Sequence, residues 1–190
     1  VTAKIHFVNN NNDILYTSVM FVGSVGVVTA LNIKHKFSIV VNFRNSSYNN
    51  VNKDSYITCK TIMGFIYNWN MIFIGGWTVT SLIRYICENA KSYDEAVKMA
   101  KSKWLISPTF ITITGNKSNE GVILTRDRLS CLDENPLEKK TQIKQENGKK
   151  QNNNEYVIQC NSDHWTIDDL NQYSDIYESK ERVEMAELML

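Results

Sequence analysis

The sequence predicts an α+β fold in which antiparallel β-sheets are stacked between helical layers, an αββα arrangement. Strand patterns come first, up to Val41, helical periodicity follows up to Ala100, strand patterns then return, and a helix closes the chain. A doubly wound parallel fold would alternate strands and helices one for one. The 190 residues, 43% of them hydrophobic, are enough for one domain with a sizeable core.

The charge balance and the cysteine pattern exclude several classes of function. Lys and Arg number 21 and Asp and Glu number 20, which is a formal net charge of +1. Such a chain has no large basic field, so we expect no nucleic-acid partner. Phosphate-binding and dinucleotide motifs are absent from the sequence, and so is any C-x-x-C pair. We therefore predict no cofactor and no metal site. The four cysteines are Cys59, Cys87, Cys131 and Cys160.

The first residue, the apolar stretches and the sequons indicate which kind of protein the chain comes from and where it is located. It opens inside a strand pattern, with Val1 in place of a Met, so we expect a piece of a longer protein. The longest apolar stretch, residues 19–30, is shorter than the roughly 20 residues of a membrane span, which predicts no transmembrane helix. Sequons at Asn45 and Asn116 predict N-glycosylation and favour the secretory route.

The first two elements follow strand and turn rules. Ile5 and Phe7 share one face of a predicted strand over residues 4–8. The Asn-rich residues 9–13 supply turn chemistry, and a second strand is predicted over residues 14–22. The two strands are therefore a predicted hairpin.

Two further strands are predicted before the helical part. The Gly-Ser-Val-Gly sequence at residues 23–26 predicts a strand turn packed closely against a neighbour. An apolar run then ends at Leu31, and apolar residues alternate with others over residues 37–41. Residues 45–55 are polar and are predicted to form a loop.

An apolar segment precedes the helices. Residues 62–77 are rich in aromatic and aliphatic side chains. The i, i+3, i+4 spacing over residues 79–90 then predicts an amphipathic helix. Ser92 and Glu95 form the S-x-x-E capping box that begins a second helix.

The C-terminal part returns to strands. Strands are predicted over residues 110–113 and 122–125. Within the single domain of residues 1–190, residues 133–154 are predicted to be a flexible polar insertion. The last predicted elements are a strand over residues 156–160 and a helix over residues 179–190.

Three polar groups stand out as candidate sites from the residues alone. Residues 161–165, Asn-Ser-Asp-His-Trp, follow a predicted strand, where a rigid scaffold can hold a site residue. Composition alone indicates no more than a polar strand end. The adjacent Asp168 and Asp169 point apart, so they are not predicted to share acid–base work. The alternating charges of residues 125–128 predict an ion-paired turn.

Five segments in the same order resemble the family of acid ceramidase and N-acylethanolamine acid amidase. Residues 21–26 resemble F-x-G-Y-V-G, residues 36–39 the K-F-S strand, residues 90–96 A-x-S-Y-E-E-A, residues 120–128 E-G-V-V-I-T-R-D-R and residues 159–165 Q-T-N-Y-D-H-W. The resemblance implies the family's N-terminal-nucleophile hydrolase fold, which agrees with the predicted αββα order.

The resemblance implies hydrolysis of a fatty-acyl amide, either ceramide or an N-acylethanolamine. Precursors of this family cut themselves to expose a cysteine nucleophile, so the chain would be an incomplete large subunit that pairs with its own small subunit. A lysosomal or secreted glycoprotein is implied. Asn161 matches the family's oxyanion Asn. The nucleophile region would lie before Val1.

Departures from the family pattern leave a second function open. Phe43 stands where the family's N-E-R segment has a Glu, and Ser162 replaces a Tyr. The family's D-D-R-R segment is altered, and an insertion would bring Arg182 to the position of one of its arginines. Arg182 is then a candidate active-site cation, the alternative being an exposed helix-face arginine. A divergent, non-catalytic relative that binds lipid or a partner protein is the alternative function.

The resemblance implies a function for the apolar segment of residues 62–77, because the family's equivalent region helps to form an entrance for the acyl chain. We predict four substrate-binding residues on this basis: Val28, Phe43, Ile66 and Trp69. An exposed rim of aromatic side chains would contact a membrane surface. An ordinary core helix is the other interpretation of this segment.

Overall fold

The computed structural model describes residues 1–44, 56–137, 156–161, 163 and 174–189. The strands are β1 (Thr2–Val8), β2 (Ile14–Phe21), β3 (Thr29–Asn32), β4 (Phe37–Phe43), β5 (Thr109–Thr114), β6 (Gly121–Arg126) and β7 (Cys131–Pro136). The helices are α1 (Tyr56–Phe73), α2 (Val79–Asn89), α3 (Tyr93–Ser102) and α4 (Ser174–Met189).

The α+β class with antiparallel strands and packed helices is confirmed. Every strand pairs antiparallel with its neighbour in the chain, so the strand order follows β1 to β7 without a crossover. A stacked pair of sheets was predicted. The described residues join into one seven-stranded sheet, because β4 and β5 pair directly although three helices lie between them in sequence.

The predicted N-terminal hairpin is confirmed. Asn9 shapes its turn, since its Oδ1 accepts hydrogen bonds from the backbone N–H groups of Asn11 and Asp13 at 2.8 and 2.9 Å. On the core face of the two strands, the rings of Phe7 and Tyr16 stack with their centroids 4.4 Å apart. Turn chemistry and cross-strand packing therefore specify the same register.

The hydrophobic core lies between one face of the sheet and helices α2 and α3. The buried side chains Leu82, Ile83 and Ile86 confirm the predicted amphipathic spacing of α2. On α3, Ala96 and Ala100 are small enough to bring the helix close to the sheet. The sheet contributes buried residues from its central strands: Phe37, Ile39, Ile111, Ile113, Val122 and Leu124.

The capping box that begins α3 is confirmed, with one difference. Ser92 is the N-cap, and its hydroxyl accepts a hydrogen bond from the Glu95 N–H at 3.2 Å. The Glu95 carboxylate accepts from the N–H of Lys91 at 2.8 Å. Glu95 thus reaches one residue further back than in the usual reciprocal box.

The turn after β2 packs against a neighbour, as predicted. Gly23 has φ +89°, which a residue without Cβ adopts at no steric cost. A Cβ built on Gly26 would lie 2.9 Å from the Cβ of Thr80, at the start of α2. Gly26 therefore allows the chain to approach the N-terminal end of that helix.

Helix α1 includes most of the predicted apolar segment. Several of its large side chains are exposed, among them Phe65, Ile66, Trp69 and Phe73. Met71, by contrast, is buried. In the part of the chain that the structure describes, no helix combines the length and the apolar character that crossing a bilayer requires.

In the C-terminal part, two predicted boundaries and one predicted strand are wrong. Residues 133–136, placed at the start of the polar insertion, belong to β7, because β6 offers a pairing edge on that side. Residues 156–160 form no strand. Helix α4 begins at Ser174, before the predicted residue 179. The loop of residues 45–55 and residues 138–154 of the predicted insertion lie outside the described residues.

Candidate active site

The end of β4 holds the segment that carries Asn161. The side-chain amide of Asn42 donates a hydrogen bond to the carbonyl oxygen of Gln159 at 3.1 Å. The Nδ2 of Asn161 donates to the carbonyl oxygen of Phe43 at 2.9 Å. Two consecutive strand residues thus contact two alternate residues of the segment, which fixes its direction along the strand end.

Arg44 and Asp163 form a third contact in the same order. The Arg44 Nε lies 2.7 Å from one carboxylate oxygen of Asp163, and Nη2 lies 2.7 Å from the other. Both side chains are nearly buried, at 5% and 12% exposure. The guanidinium also lies 6.0 Å from the centre of the Phe110 ring and donates to the Arg126 carbonyl at 3.5 Å. This two-pronged ion pair sets both the distance and the orientation between Arg44 and Asp163.

The Asn161 amide is held from both ends. Its Nδ2 bonds the Phe43 carbonyl, and its Oδ1 accepts a hydrogen bond from Nη2 of Arg182 on α4 at 3.1 Å. A positive charge at the amide oxygen draws electron density away from the nitrogen, which strengthens its N–H groups as donors. A fixed, polarised amide of this kind can stabilise a developing oxyanion.

The two predicted catalytic residues therefore lie together. The proximity of Arg182 to Asn161 depends on α4, whose residues 181–189 have described side chains, returning to the end of β4. No spacing in the sequence indicates this contact. The roles of Asn161 at the oxyanion and of Arg182 as an active-site cation stay predictions. Ser162, His164, Asp168 and Asp169 lie outside the described residues.

The four predicted substrate-binding residues are all at least partly exposed, and they lie in three places: directly before β3, at the end of β4, and on α1. Val28 accepts a backbone hydrogen bond from Val41 and so lies beside β4, at whose end Phe43 is 69% exposed. Ile66 and Trp69 lie one helical turn apart on α1. Their role in binding an acyl chain stays a prediction.

Phe43 contacts the candidate site through its main chain. Its carbonyl accepts from Asn161, whereas its ring is largely exposed. A backbone carbonyl is present whatever side chain occupies position 43. The departure from the family's Glu at this position therefore leaves the Asn161 contact in place.

Arg44 and Asp163 were not singled out from the sequence. The available signal was an arginine directly after an apolar strand, together with an aspartate two residues after Asn161. Buried arginines need a partner, so a charged residue at a strand end deserves a search for one. The partner itself lies 119 residues away in the chain.

Two cysteines have environments that keep the thiol protonated. Burial raises the pKa of Cys87 to about 12, and burial also raises the pKa of Cys131. The thiolate is the nucleophilic form, so neither residue is suited to attack a substrate at neutral or acidic pH. Among the described residues, no cluster of three or more His, Cys, Asp or Glu side chains is arranged for a metal ion.

Of the two predicted glycosylation sites, one lies among the described residues. Asn116 is exposed in the turn between β5 and β6, where a glycan would extend into solvent. Asn45 lies outside the described residues. Modification at both sites stays a prediction.

Known proteins are similar to this chain both in sequence and in structure. No family model matches the chain. It is 29% identical over 165 residues to acid ceramidase of Homo sapiens, which covers 87% of the chain and 35% of that protein. It is 29% identical over 132 residues to the uncharacterized protein R632 of Acanthamoeba polyphaga mimivirus, covering 70% of the chain and 38% of that protein.

A solved structure is also similar. The Caenorhabditis elegans N-acylethanolamine-hydrolyzing acid amidase ortholog matches with a TM-score of 0.61 and 26% identity, over 87% of this chain and 59% of that one. The antiparallel sheet with its packed helices and the similarity to this structure together define the fold class, which is that of the N-terminal-nucleophile hydrolases. Within that class, the similar chains support the acid ceramidase and N-acylethanolamine acid amidase family. It spans 35–38% of the length of the curated relatives named above.

Proposed function

We propose that the protein containing this chain hydrolyses the amide bond of a fatty-acyl amide, either ceramide or an N-acylethanolamine. The named relatives support this substrate class. The observation that carries the proposal is the Asn161 amide, held between the Arg182 guanidinium and the Phe43 carbonyl. Asn161 donates a hydrogen bond to the oxyanion that forms when the amide carbonyl is attacked.

The nucleophile in this proposal is a cysteine thiol at the start of a large subunit that self-cleavage generates. The thiolate adds to the carbonyl carbon, the amine leaves with a proton, and a thioester to the fatty acyl group remains. Water then adds to the thioester, and the fatty acid leaves. The raised pKa values of Cys87 and Cys131 support a thiol other than these two.

The proposal also includes the residues that contact the acyl chain, the partners of the protein and its location. The acyl chain contacts Val28, Phe43, Ile66 and Trp69, whose exposed apolar surface supports this placement. The partners are the lipid amide, a membrane surface that delivers it, and the small subunit released by self-cleavage. The sequons support a lysosomal or secreted location.

The proposal is tested on the full-length protein, expressed in a secretory host and assayed with a fluorogenic fatty-acyl amide at acidic pH. Self-cleavage is checked on a denaturing gel. Asn161→Ala is expected to lower kcat by about 100- to 1,000-fold, because one fixed oxyanion donor is lost. Cys160→Ala is the matched control, since it changes the neighbouring side chain, and its kcat should equal that of the wild type.

The outcomes separate the two functions. Turnover that is lost in Asn161→Ala and kept in Cys160→Ala excludes the non-catalytic, lipid- or partner-binding alternative. A correctly self-cleaved protein without turnover on either ceramide or N-acylethanolamine analogues would contradict the proposal and favour that alternative. Loss of turnover in Cys160→Ala would point to Cys160 as a reacting group.

A further inference from the structure

We propose that the buried Arg44–Asp163 ion pair is a positioning device that holds Asn161 in register with the end of β4. The inference deepens the proposed function and rests on it for its catalytic consequence. That the pair keeps the Asn161 amide at the Phe43 carbonyl follows from the geometry and does not depend on the proposed function.

The order of contacts supports this role. Asn42, Phe43 and Arg44 are consecutive at the end of β4, and they contact Gln159, Asn161 and Asp163, respectively. The Asn161 contact is therefore flanked by one contact on each side. Displacement of either flanking contact would shift the amide along the strand. The Asn42 contact is one neutral hydrogen bond, whereas Arg44 and Asp163 share two charge-assisted ones.

The burial of the pair makes its geometry specific. With 5% and 12% of the two side chains exposed, little solvent screens the charges or competes for the hydrogen bonds. The guanidinium is also fixed by the Phe110 ring and by the Arg126 carbonyl of β6. Asp163 thus meets a donor fork that three strands hold in place. A buried pair of this kind defines an arrangement more than it adds stability.

The chemistry of arginine explains why a simple charge would not suffice. A guanidinium presents two parallel N–H groups to the two oxygens of a carboxylate, which sets both distance and orientation. A lysine ammonium is a point charge and allows the carboxylate to rotate. Arg44→Lys therefore keeps the charge and removes the alignment.

The test uses the full-length protein with Arg44→Lys and Asp163→Asn, and a double-mutant cycle with Asn161→Ala. Each single variant is expected to lower kcat by about 10- to 100-fold, in line with the cost of misplacing a catalytic group by about 1 Å, with KM little changed. In the Asn161→Ala background the same substitutions should change kcat hardly at all, because the group they position is absent. Glu134→Gln, which breaks the exposed Lys101–Glu134 pair, is the matched control.

Hydrogen exchange supplies a readout that does not depend on activity. Amides of residues 156–161 should exchange faster in Arg44→Lys and Asp163→Asn than in the wild type or Glu134→Gln, at unchanged exchange of the β5 amides. An unchanged rate over residues 156–161 overturns the positioning role. So does a loss of kcat that is equally large in the Asn161→Ala background, since it would then act by another route.

The two proposals fail in different ways. If the self-cleaved wild type has no amidase activity, the proposed function fails, and the exchange rates alone decide whether the ion pair holds the segment. If the wild type is active and the two variants keep its kcat, the positioning role fails and the proposed function stands.

Discussion

Arg182 donates a hydrogen bond from Nη2 to the Oδ1 of Asn161 across 3.1 Å. The contact joins helix α4 to the segment docked on β4. It also places a positive charge against an amide whose nitrogen is bound to the Phe43 carbonyl. The two candidate catalytic residues are therefore one hydrogen-bonded unit, and the effect of one should depend on the other.

Loss of the Arg182 charge should weaken this unit. Arg182→Ala is expected to lower kcat on a fatty-acyl amide by about 10-fold, because a hydrogen bond to a charged group is worth about 1.5–3 kcal/mol and this one is partly exposed. Arg182→Lys should recover part of the loss. Glu184→Gln, at an exposed position two residues further on α4, is the control and should leave kcat unchanged. Equal activity of Arg182→Ala and wild type would show that Asn161 acts without Arg182.

The close approach of Gly26 to α2 predicts a strong effect of a single methyl group. Gly26→Ala should lower the free energy of unfolding by about 1–3 kcal/mol, since the new Cβ would lie 2.9 Å from the branched side chain of Thr80. Gly64→Ala is the matched control on α1, where nothing lies within 4 Å of the added atom. It should stabilise the protein by up to about 1 kcal/mol through helix propensity. Urea unfolding of both variants measures the contrast, and equal effects would refute the packing argument.

The buried Arg126 should be important for the end of α3. Its guanidinium donates to the carbonyl oxygens of Ala100 and Lys103, the latter at 2.6 Å. Burial lowers the pKa of Arg126, so the charge is tolerated there at a cost. Arg126→Met should destabilise the protein by about 1–3 kcal/mol, because both carbonyls lose their donor.

Arg84→Met is the comparison for that variant. Arg84 pairs with Glu88 on the exposed face of α2, at 2.8 Å and with half of its side chain in solvent. Its replacement should change the free energy of unfolding by about 0.5 kcal/mol or less. Thermal unfolding of the two variants side by side tests the distinction, and similar shifts in Tm would argue against a capping role for Arg126.

Cys87 predicts a loss of stability at alkaline pH. Its pKa is raised by burial from 9.0 in the unfolded chain to about 12 in the fold. The folded state therefore keeps a proton that the unfolded state releases. The stabilisation is complete below pH 9 and is lost as pH rises from 9 to 12, at about 1.4 kcal/mol per pH unit.

Cys87→Ala removes the titrating thiol and is therefore the control for the wild type. The free energy of unfolding, measured by urea between pH 8 and pH 11, should fall more steeply for the wild type than for Cys87→Ala. Burial raises the pKa of Tyr16 as well, and that contribution is common to both proteins. Parallel slopes would mean that Cys87 is not the group responsible.

Local patterns in the sequence account for most of the secondary structure. The Asn-rich turn after β1, the spacing of Leu82, Ile83 and Ile86 and the Ser92 cap each depend on contacts between residues close in the chain. Such contacts produce short-range periodicities that a reader of the sequence can recognise. The strand predicted over residues 156–160 failed because a short apolar run does not reveal whether a pairing edge is available.

The turn of residues 125–128 shows the same limit. Its alternating charges predicted an ion-paired turn, and Arg128 does lie 3.6 Å from Asp127. Arg126 instead turns into the protein to meet α3, and Arg128 also donates two hydrogen bonds to Asn68 of α1. Charge alternation indicates that partners exist, whereas the fold decides which partners they are.

The sequence by itself determined the α+β class, the N-terminal hairpin, the two core helices α2 and α3 and the resemblance to the family, because periodicity, caps and ordered motifs are properties of neighbouring residues. The tertiary structure decided how the candidate site is assembled. Asn161 meets Phe43 across 118 residues, and Asp163 meets Arg44 across 119. Contacts over such separations depend on how the sheet, the docked segment and α4 pack together, and no local pattern in the chain encodes that packing.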